Sequence, residues 1–275
     1  MTGIVISGLT LGQLIGPLVI SRLIAAYGWR LSCIILGSTV MVMIVLLAQF
    51  LKRDQDQAGR LRAREKGRNK QDSKPGSQDF ILKEAVRTPQ FWLVALIFFC
   101  VGFATFAITV HIIPHATKLG ISAVTAANIL AINGGIGIIG NFVLGGIIGD
   151  RIGNRKAFII GIVLMAASLF WLVTAKEVWM LYLMAVAFGI GLGGVGTSES
   201  PLIARLFGLS SHGLIYGVAG FSWTFGGAVG PLVTGYMCDI YGNYQLAFLV
   251  CAIVSVFGLL LLIILRPTKR RGIEL

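Results

Sequence analysis

At 275 residues, with 56% hydrophobic and 12% charged side chains and a mean hydropathy of +0.86, the chain carries more apolar surface than a soluble fold can hide; soluble domains have about 25% charged residues. A water-soluble globular fold is excluded, and a polytopic membrane protein is the default. The net charge of +12 raises nucleic acid as a partner, but the basic residues lack interleaved aromatics and any nucleic-acid motif, so no nucleic acid is expected.

A helix needs about 20 apolar residues to cross the hydrocarbon. Eight stretches qualify: 3–26, 31–51, 91–113, 123–147, 157–175, 178–204, 213–236 and 245–265. Apolar runs of this length, with glycine at helical spacing, predict helices; barrel strands alternate over about ten residues. The expected fold class is all-α, a polytopic membrane protein with eight transmembrane helices. The first stretch lacks a charged leading region and an A-x-A-like cleavage site, so it is not read as a signal peptide.

Between the second and third stretches, residues 52–90 form a polar segment with eleven Lys and Arg. Ser73-Lys74-Pro75-Gly76-Ser77 breaks any helix there. Asp79 is expected to cap a short amphipathic turn, Phe80–Val86, on the membrane surface, and Thr88-Pro89 to cap the next span. Solvation and attraction to anionic lipid heads suffice to explain the charges.

Polar residues inside the spans are the candidate sites. His111 and His115 flank Pro114 at the outer end of 91–113, as an external proton relay or as interfacial residues. Asn128, Asn133 and Asn141 punctuate 123–147, where Gly134, Gly137 and Asn141 share one helix face. That face is expected to pack on the Gly8/Gly12/Gly16 face of the first span. Glu199 follows Gly189, Gly191, Gly193, Gly194 and Gly196 and precedes Pro201, an interruption expected to weaken the helix and free backbone groups to line a cavity. Two readings stand for Glu199: proton coupling, or a carboxylate near the interface paired with Arg205. Ser222 and Trp223 line a cavity or, for Trp223, face lipid. Cys33, Cys100, Cys238 and Cys251 lie far apart within spans, without CxxC or Cys/His spacing. No metal, cofactor or disulfide is expected. Neither HExxH nor Gly-x-Ser-x-Gly occurs, so an enzyme is not expected.

The segment Thr2–Gly28 recurs 214 positions later: Gly16-Pro17 returns as Gly230-Pro231, and Tyr27-Gly28 as Tyr241-Gly242. Such a long period in a chain of apolar spans indicates a transporter built from two homologous halves. Spans 3–26 and 31–51 match 213–236 and 245–265, and the four between have no upstream counterpart. The chain therefore reads as helices five to twelve of a twelve-helix design, N-terminally truncated. Residues 1–51 are the last two helices of an N-terminal bundle, 52–90 a basic linker, 91–265 a complete C-terminal six-helix bundle and 266–275 a basic tail. An even number of spans puts both termini on one side, and nineteen of the 23 basic residues fall there. The positive-inside rule makes that side cytoplasmic, in an integral, multi-pass cell (plasma or inner) membrane.

Three motifs resemble the major facilitator superfamily. Gly146-Ile-Ile-Gly-Asp150-Arg151-Ile-Gly153-Asn-Arg155-Lys156 is similar to its G-x-x-x-D-R-x-G-R-R motif, with Asn154 in place of one Arg. In it, Gly146 lets two helices approach, Asp150 holds Arg155 or a helix N-terminus, and Gly153 permits a tight turn. Gly16-Pro17…Tyr27-Gly28-Trp29-Arg30 resembles the fifth helix of monocarboxylate-transporter-like and oxalate-formate-antiporter-like proteins. Gly230-Pro231…Gly235…Asp239…Gly242-Asn243-Tyr244…Phe248 resembles their eleventh-to-twelfth-helix turn. The resemblance implies a secondary transporter, alternating access, and a small organic anion such as a monocarboxylate crossing with a proton or against another anion. The substrate and proton pathway candidates are then Asn141, Asn133, Glu199, His111 and Trp223. Gly146, Asp150, Arg151, Gly153 and Arg155 form the cytoplasmic gate, and Gly16, Pro17, Gly230, Pro231, Asp239 and Gly242 pack helices. These relatives commonly carry a Gly-Arg pair in the eighth helix, its Arg facing the cavity; here the pair is Gly140-Asn141. Restoring the charge with Asn141→Arg is expected to raise carboxylate affinity if Asn141 faces the cavity. Besides lipid and substrate, the expected partners are the missing N-terminal helices or another copy, and the chain alone is expected not to transport. The alternative is a non-transporting membrane scaffold or sensor.

Overall fold

The computed structural model describes residues 2–50 and 80–265, without the side chains of 2–7, 9, 10 and 50. The basic linker through residue 79, with the Asp79 cap, and the tail 266–275 lie outside the described residues. Among those described there are helices and no strand: α1 Thr2–Phe50, a short α2 Leu82–Ala85, α3 Pro89–Lys118, α4 Ala123–Ile152, α5 Asn154–Thr174, α6 Val178–Phe207, α7 His212–Tyr241 and α8 Gln245–Ile264.

The eight expected spans fall on seven helices. Six of these are long and apolar enough to cross a membrane, with α1 qualifying over Leu11–Gln49. The first two stretches run on as α1, broken at Gly28, whose φ of 72° and ψ of 165° are not helical. At 30 residues α7 is long enough but is not among the six. Its glycines, Ser222, Thr224, Thr234 and Asp239 dilute the apolar content.

The chain divides into two compact units, residues 1–19 with 79–275, and residues 20–78. In the second unit, the Ser32 hydroxyl donates to the Gly28 carbonyl at 2.7 Å, satisfying an acceptor at the break. In the first unit, Phe98, Phe158, Phe188, Phe207 and Phe248 are fully buried in the core, while Trp92, Phe221, Leu232 and Ile253 stand exposed. Large apolar side chains on both inside and outside suit a lipid surround.

Two helix pairs dominate the packing: α3 against α7, and α4 against α6, with α5 between α6 and α8. Glycines set how closely they approach. A Cβ at Gly226 or Gly230 of α7 would collide with the Phe99 or Phe103 carbonyl of α3, and one at Gly102 with the Trp223 carbonyl. Along α6, Gly189 and Gly193 meet Asn133, Gly137 and Gly140 of α4, while Gly191 meets Gly161 of α5. The glycines of α6 therefore do not open a cavity. The helix runs unbroken from Val178 to Phe207 with Pro201 inside it, and Gly189, Gly191, Gly193 and Gly194 are buried in its seams.

The expected glycine face on α4 divides as well. Gly134 abuts Gln13 and Leu14 of α1, and Gly135 abuts Leu14, but Gly137 faces α6. Among the described residues, Gly8, Gly12 and Gly16 meet nothing within 4 Å of a built Cβ. Helical drift accounts for the split, since residues three apart on α4 point about 300° around the axis and not onto one line.

The approach to α3 forms as expected from Thr88-Pro89. The Thr88 hydroxyl accepts from the Phe91 N–H at 3.3 Å, with Pro89 in the first turn. Ahead of it, Phe80 donates its N–H to the Phe207 carbonyl at 2.9 Å and sets its ring on Phe207 at 5.9 Å. This turn is docked on the end of α6 and is not a free surface helix.

Candidate functional site

Most of the sequence-derived candidates fall in four places in the first unit. One is the α4–α5 turn. Gly153 has φ 93° and ψ 140°, a region that L side chains rarely adopt, so the tight turn expected of this glycine is present. Two residues on, Arg155 donates to the carbonyls of Leu262 at 3.1 Å and Ile263 at 2.9 Å. These belong to the last turn of α8, where carbonyls lack helical partners and the dipole favours a cation. Arg155 thus ties the turn to α8, while Asp150 and Arg151 are exposed. The expected Asp150–Arg155 hold is replaced by this bond.

Gly146 is not the point of helix approach. The atom nearest to its built Cβ is the Asn141 carbonyl in its own helix, at 3.8 Å, whereas a Cβ on Gly145 would collide with the Thr197 hydroxyl of α6. Asn154, the departure from the motif, places its side-chain oxygen 3.0 Å from a built Cβ on Gly149, so the turn closes around it. Between the turn and the middle of α4, Asn141–Ile148 is π-helical. Such stretches are uncommon and concentrate at functional sites.

The second place is the α4–α6 seam. Asn133 is buried and donates to the Ala185 carbonyl at 3.1 Å, joining the two helices. Asn141 is fully buried, and its backbone N–H stands 2.6 Å from a built Cβ on Gly193. Both are seam residues in this structure.

The third is where α6 ends and α7 begins. Glu199 is half-buried and accepts from the Tyr216 hydroxyl at 3.3 Å. Arg205, the partner offered for it by sequence, is exposed. Next along α6, Ser200 shares a 3.0 Å hydrogen bond with Nε2 of His212, and the His212 ring stacks on Tyr216 at 6.0 Å and 22°. Sequence reasoning missed Ser200, His212 and Tyr216. The one available signal was the i, i+4 spacing of His212 and Tyr216, which puts them on one face of α7.

At the other end of the unit, His111 donates from Nε2 to the Pro231 carbonyl at 3.0 Å and lies 5.4 Å from the Tyr244 ring. His115 is buried between Tyr244 and Phe248, and Lys118 donates to Cys238 Sγ at 2.9 Å. Gly242, at φ 72°, ends α7 there, and Asn243 accepts from the Gln245 N–H at 3.1 Å to start α8. Asp239 is exposed beside that turn. Trp223 is half-buried, its ring 4.8 Å from Phe106.

Known proteins match this arrangement along the chain. The sequence model described as Major Facilitator Superfamily matches twice, over residues 1–153 and 139–274. Monocarboxylate transporter 12 of Rattus norvegicus is 25% identical over 289 residues, covering 98% of this chain and 60% of its own length. The oxalate:formate antiporter of Oxalobacter formigenes is 25% identical over 284 residues, covering 99% of this chain and 63% of its own. The chain thus spans about three-fifths of the length of these curated relatives. Among solved structures, the E. coli fucose:proton symporter superposes with a TM-score of 0.61 at 19% identity, over 90% of this chain and 59% of that one, a likeness of fold.

Proposed function

We propose a function from one premise: the chain belongs to the Major Facilitator Superfamily. The whole protein is a secondary active transporter that moves a small organic anion, such as a monocarboxylate, by alternating access. The observation that carries this is the pair of family matches, which together span almost the entire chain. Relatives named for monocarboxylate transport and oxalate:formate exchange supply the substrate class. Alternating access needs helices that slide or rock without losing their close packing, and the glycine seams of α3–α7 and α4–α6 suit that motion. The Arg155 tie to α8 and the Gly153 turn serve as the gate element. Proteoliposomes of the whole protein should show saturable uptake of labelled lactate, oxalate or formate. A protein that inserts and folds but moves none of them would favour the scaffold.

Glu199 is the proton carrier in this reading, because an ionisable group inside a span is costly unless it serves the pathway. Glu199→Gln should remove the pH dependence of uptake while substrate exchange continues at near the parent rate. Retained pH dependence would return Glu199 to a structural role.

The basic side of the protein, with both chain ends, faces the cytoplasm, as the distribution of Lys and Arg directs. In a variant freed of its native cysteines, a cysteine introduced at Ser77 should be protected from an impermeant thiol reagent in intact cells and become labelled once the membrane is opened. Labelling in intact cells would reverse the orientation.

A further inference from the structure

We infer that the cleft between the start of α3 and the end of α8 binds one anionic phospholipid, an acyl chain lying against its apolar walls and the headgroup phosphate meeting Arg155 and Arg87. The inference is independent of what the protein transports. The two helices touch deeper in the bundle, where a Cβ built on Gly258 stands 3.0 Å from the Cys100 Cβ. From Pro89 to Cys100 the helix rises by about 16 Å. Toward the Pro89 end the pair leaves a cleft of about 470 Å³, lined by Pro89, Gln90, Leu93, Ile263 and Ile264. Such a volume is within the range of small-molecule sites, and Gln90 is the one polar side chain on its walls.

The cleft lies at the edge of the membrane. Trp92 is exposed in the first turn of α3, and its indole N–H donates to the Val86 carbonyl at 3.0 Å. At the opposite ends of the helices, Trp171 and Trp179 are exposed with their rings 6.0 Å apart. Exposed tryptophans gather at the headgroup level on both faces of a bilayer, so the two sets mark the two interfaces. Lipid chains therefore give way to phosphates beside Trp92, level with the mouth of the cleft.

The charges there favour an anion. Arg155 donates through Nη2 to the Leu262 and Ile263 carbonyls, and Ile263 is a wall of the cleft. These bonds cover the negative end of α8 but do not neutralise the guanidinium. Its Nε is buried with no hydrogen-bond partner, and among the described residues no carboxylate pairs with it. The opposite wall is the positive end of the 30-residue α3, with the exposed Arg87 just ahead of Pro89. Of the acids on this face, Glu84 is engaged with the Ile81 N–H at 3.4 Å, Glu199 with Tyr216, and Asp150 is exposed at the α4–α5 turn. An arginine fork matches phosphate oxygens. A soluble phosphate would leave Leu93, Ile263 and Ile264 uncovered, and a zwitterionic lipid would leave the net positive charge uncompensated.

Native mass spectrometry of the purified full chain, mixed with phosphatidylglycerol and phosphatidylcholine of identical acyl chains, reads the site. The first lipid bound should favour phosphatidylglycerol at least about tenfold, and Arg155→Gln or Arg87→Gln should each lower that preference about fivefold, the contribution of one basic group at a membrane surface. Arg155→Lys, which keeps the charge, should retain most of it and guards against a variant that merely misfolds. Lys176→Gln removes the same charge at the opposite membrane face and should leave the preference unchanged. Leu93→Trp, which fills the cleft, should lower occupancy by the first lipid whichever headgroup it carries. Equal binding of the two lipids by the parent, a loss in Lys176→Gln as large as in Arg155→Gln, or unchanged occupancy in Leu93→Trp overturns the site. Glycerol 3-phosphate at the same concentration should not displace the lipid; displacement would make this a site for free phosphate and overturn the lipid assignment.

Discussion

Asn141→Arg is expected to cost the protein its fold instead of improving carboxylate affinity. The sequence comparison favours a gain, since relatives are expected to carry a cavity-facing arginine at this point. In the structure Asn141 is fully buried where α4 meets Gly193 of α6. An arginine there needs room for a long side chain and a partner for a charge. The seam leaves no room for it, because it is built from glycines in contact. A buried arginine costs about 3 kcal/mol even on the mild insertion scale, and overpacking adds about 1–3 kcal/mol. The purified variant should aggregate or elute as a broad peak on size exclusion, and unfold at a lower temperature than the parent. A monodisperse variant that binds carboxylate more tightly would place Asn141 on the pathway.

Gly193→Leu should be as damaging, through packing alone. Even a Cβ at this position would run into the Gly137 carbonyl and lie 2.6 Å from the Asn141 nitrogen and 2.8 Å from the Gly140 carbonyl carbon. These are backbone atoms and cannot swing away as a side-chain tip does, so α4 and α6 must separate. Separation loosens the Asn133 bond to Ala185 and the Gly189 contact in the same seam. The expected loss is about 3 kcal/mol or more, at or above the upper end for core overpacking. A thermal unfolding curve against Gly213→Leu, where a built Cβ meets nothing within 4 Å, isolates the effect. Equal melting of the two variants would show that the seam tolerates spreading.

The all-helical membrane class was legible from the sequence because length and composition decide it: apolar runs beyond 20 residues leave the backbone no option in lipid but internal hydrogen bonds. Turn chemistry was equally local. Gly28 and Gly242, matched by the repeat, both break their helices at φ 72°, and Gly153 takes the positive φ its motif implies. Thr88-Pro89 starts α3 as read, since a cap depends only on neighbours in the chain.

Tertiary structure alone decided which face each small or polar residue presents. Gly16-Pro17 and Gly230-Pro231 are the same signature, yet Gly230 lies on the Phe103 backbone while Gly16 has nothing within 4 Å. The glycines before Glu199 looked like a weakened helix but serve as contact points, because a missing side chain loosens an isolated helix and tightens a paired one. Arg155 found the last carbonyls of α8, more than a hundred residues away, and Glu199 found Tyr216 across a loop. No spacing rule reaches that far. The partner of a polar group inside a bundle is set by which helix ends arrive beside it, and that is a property of the packing of all six helices from α3 to α8, not of any one segment.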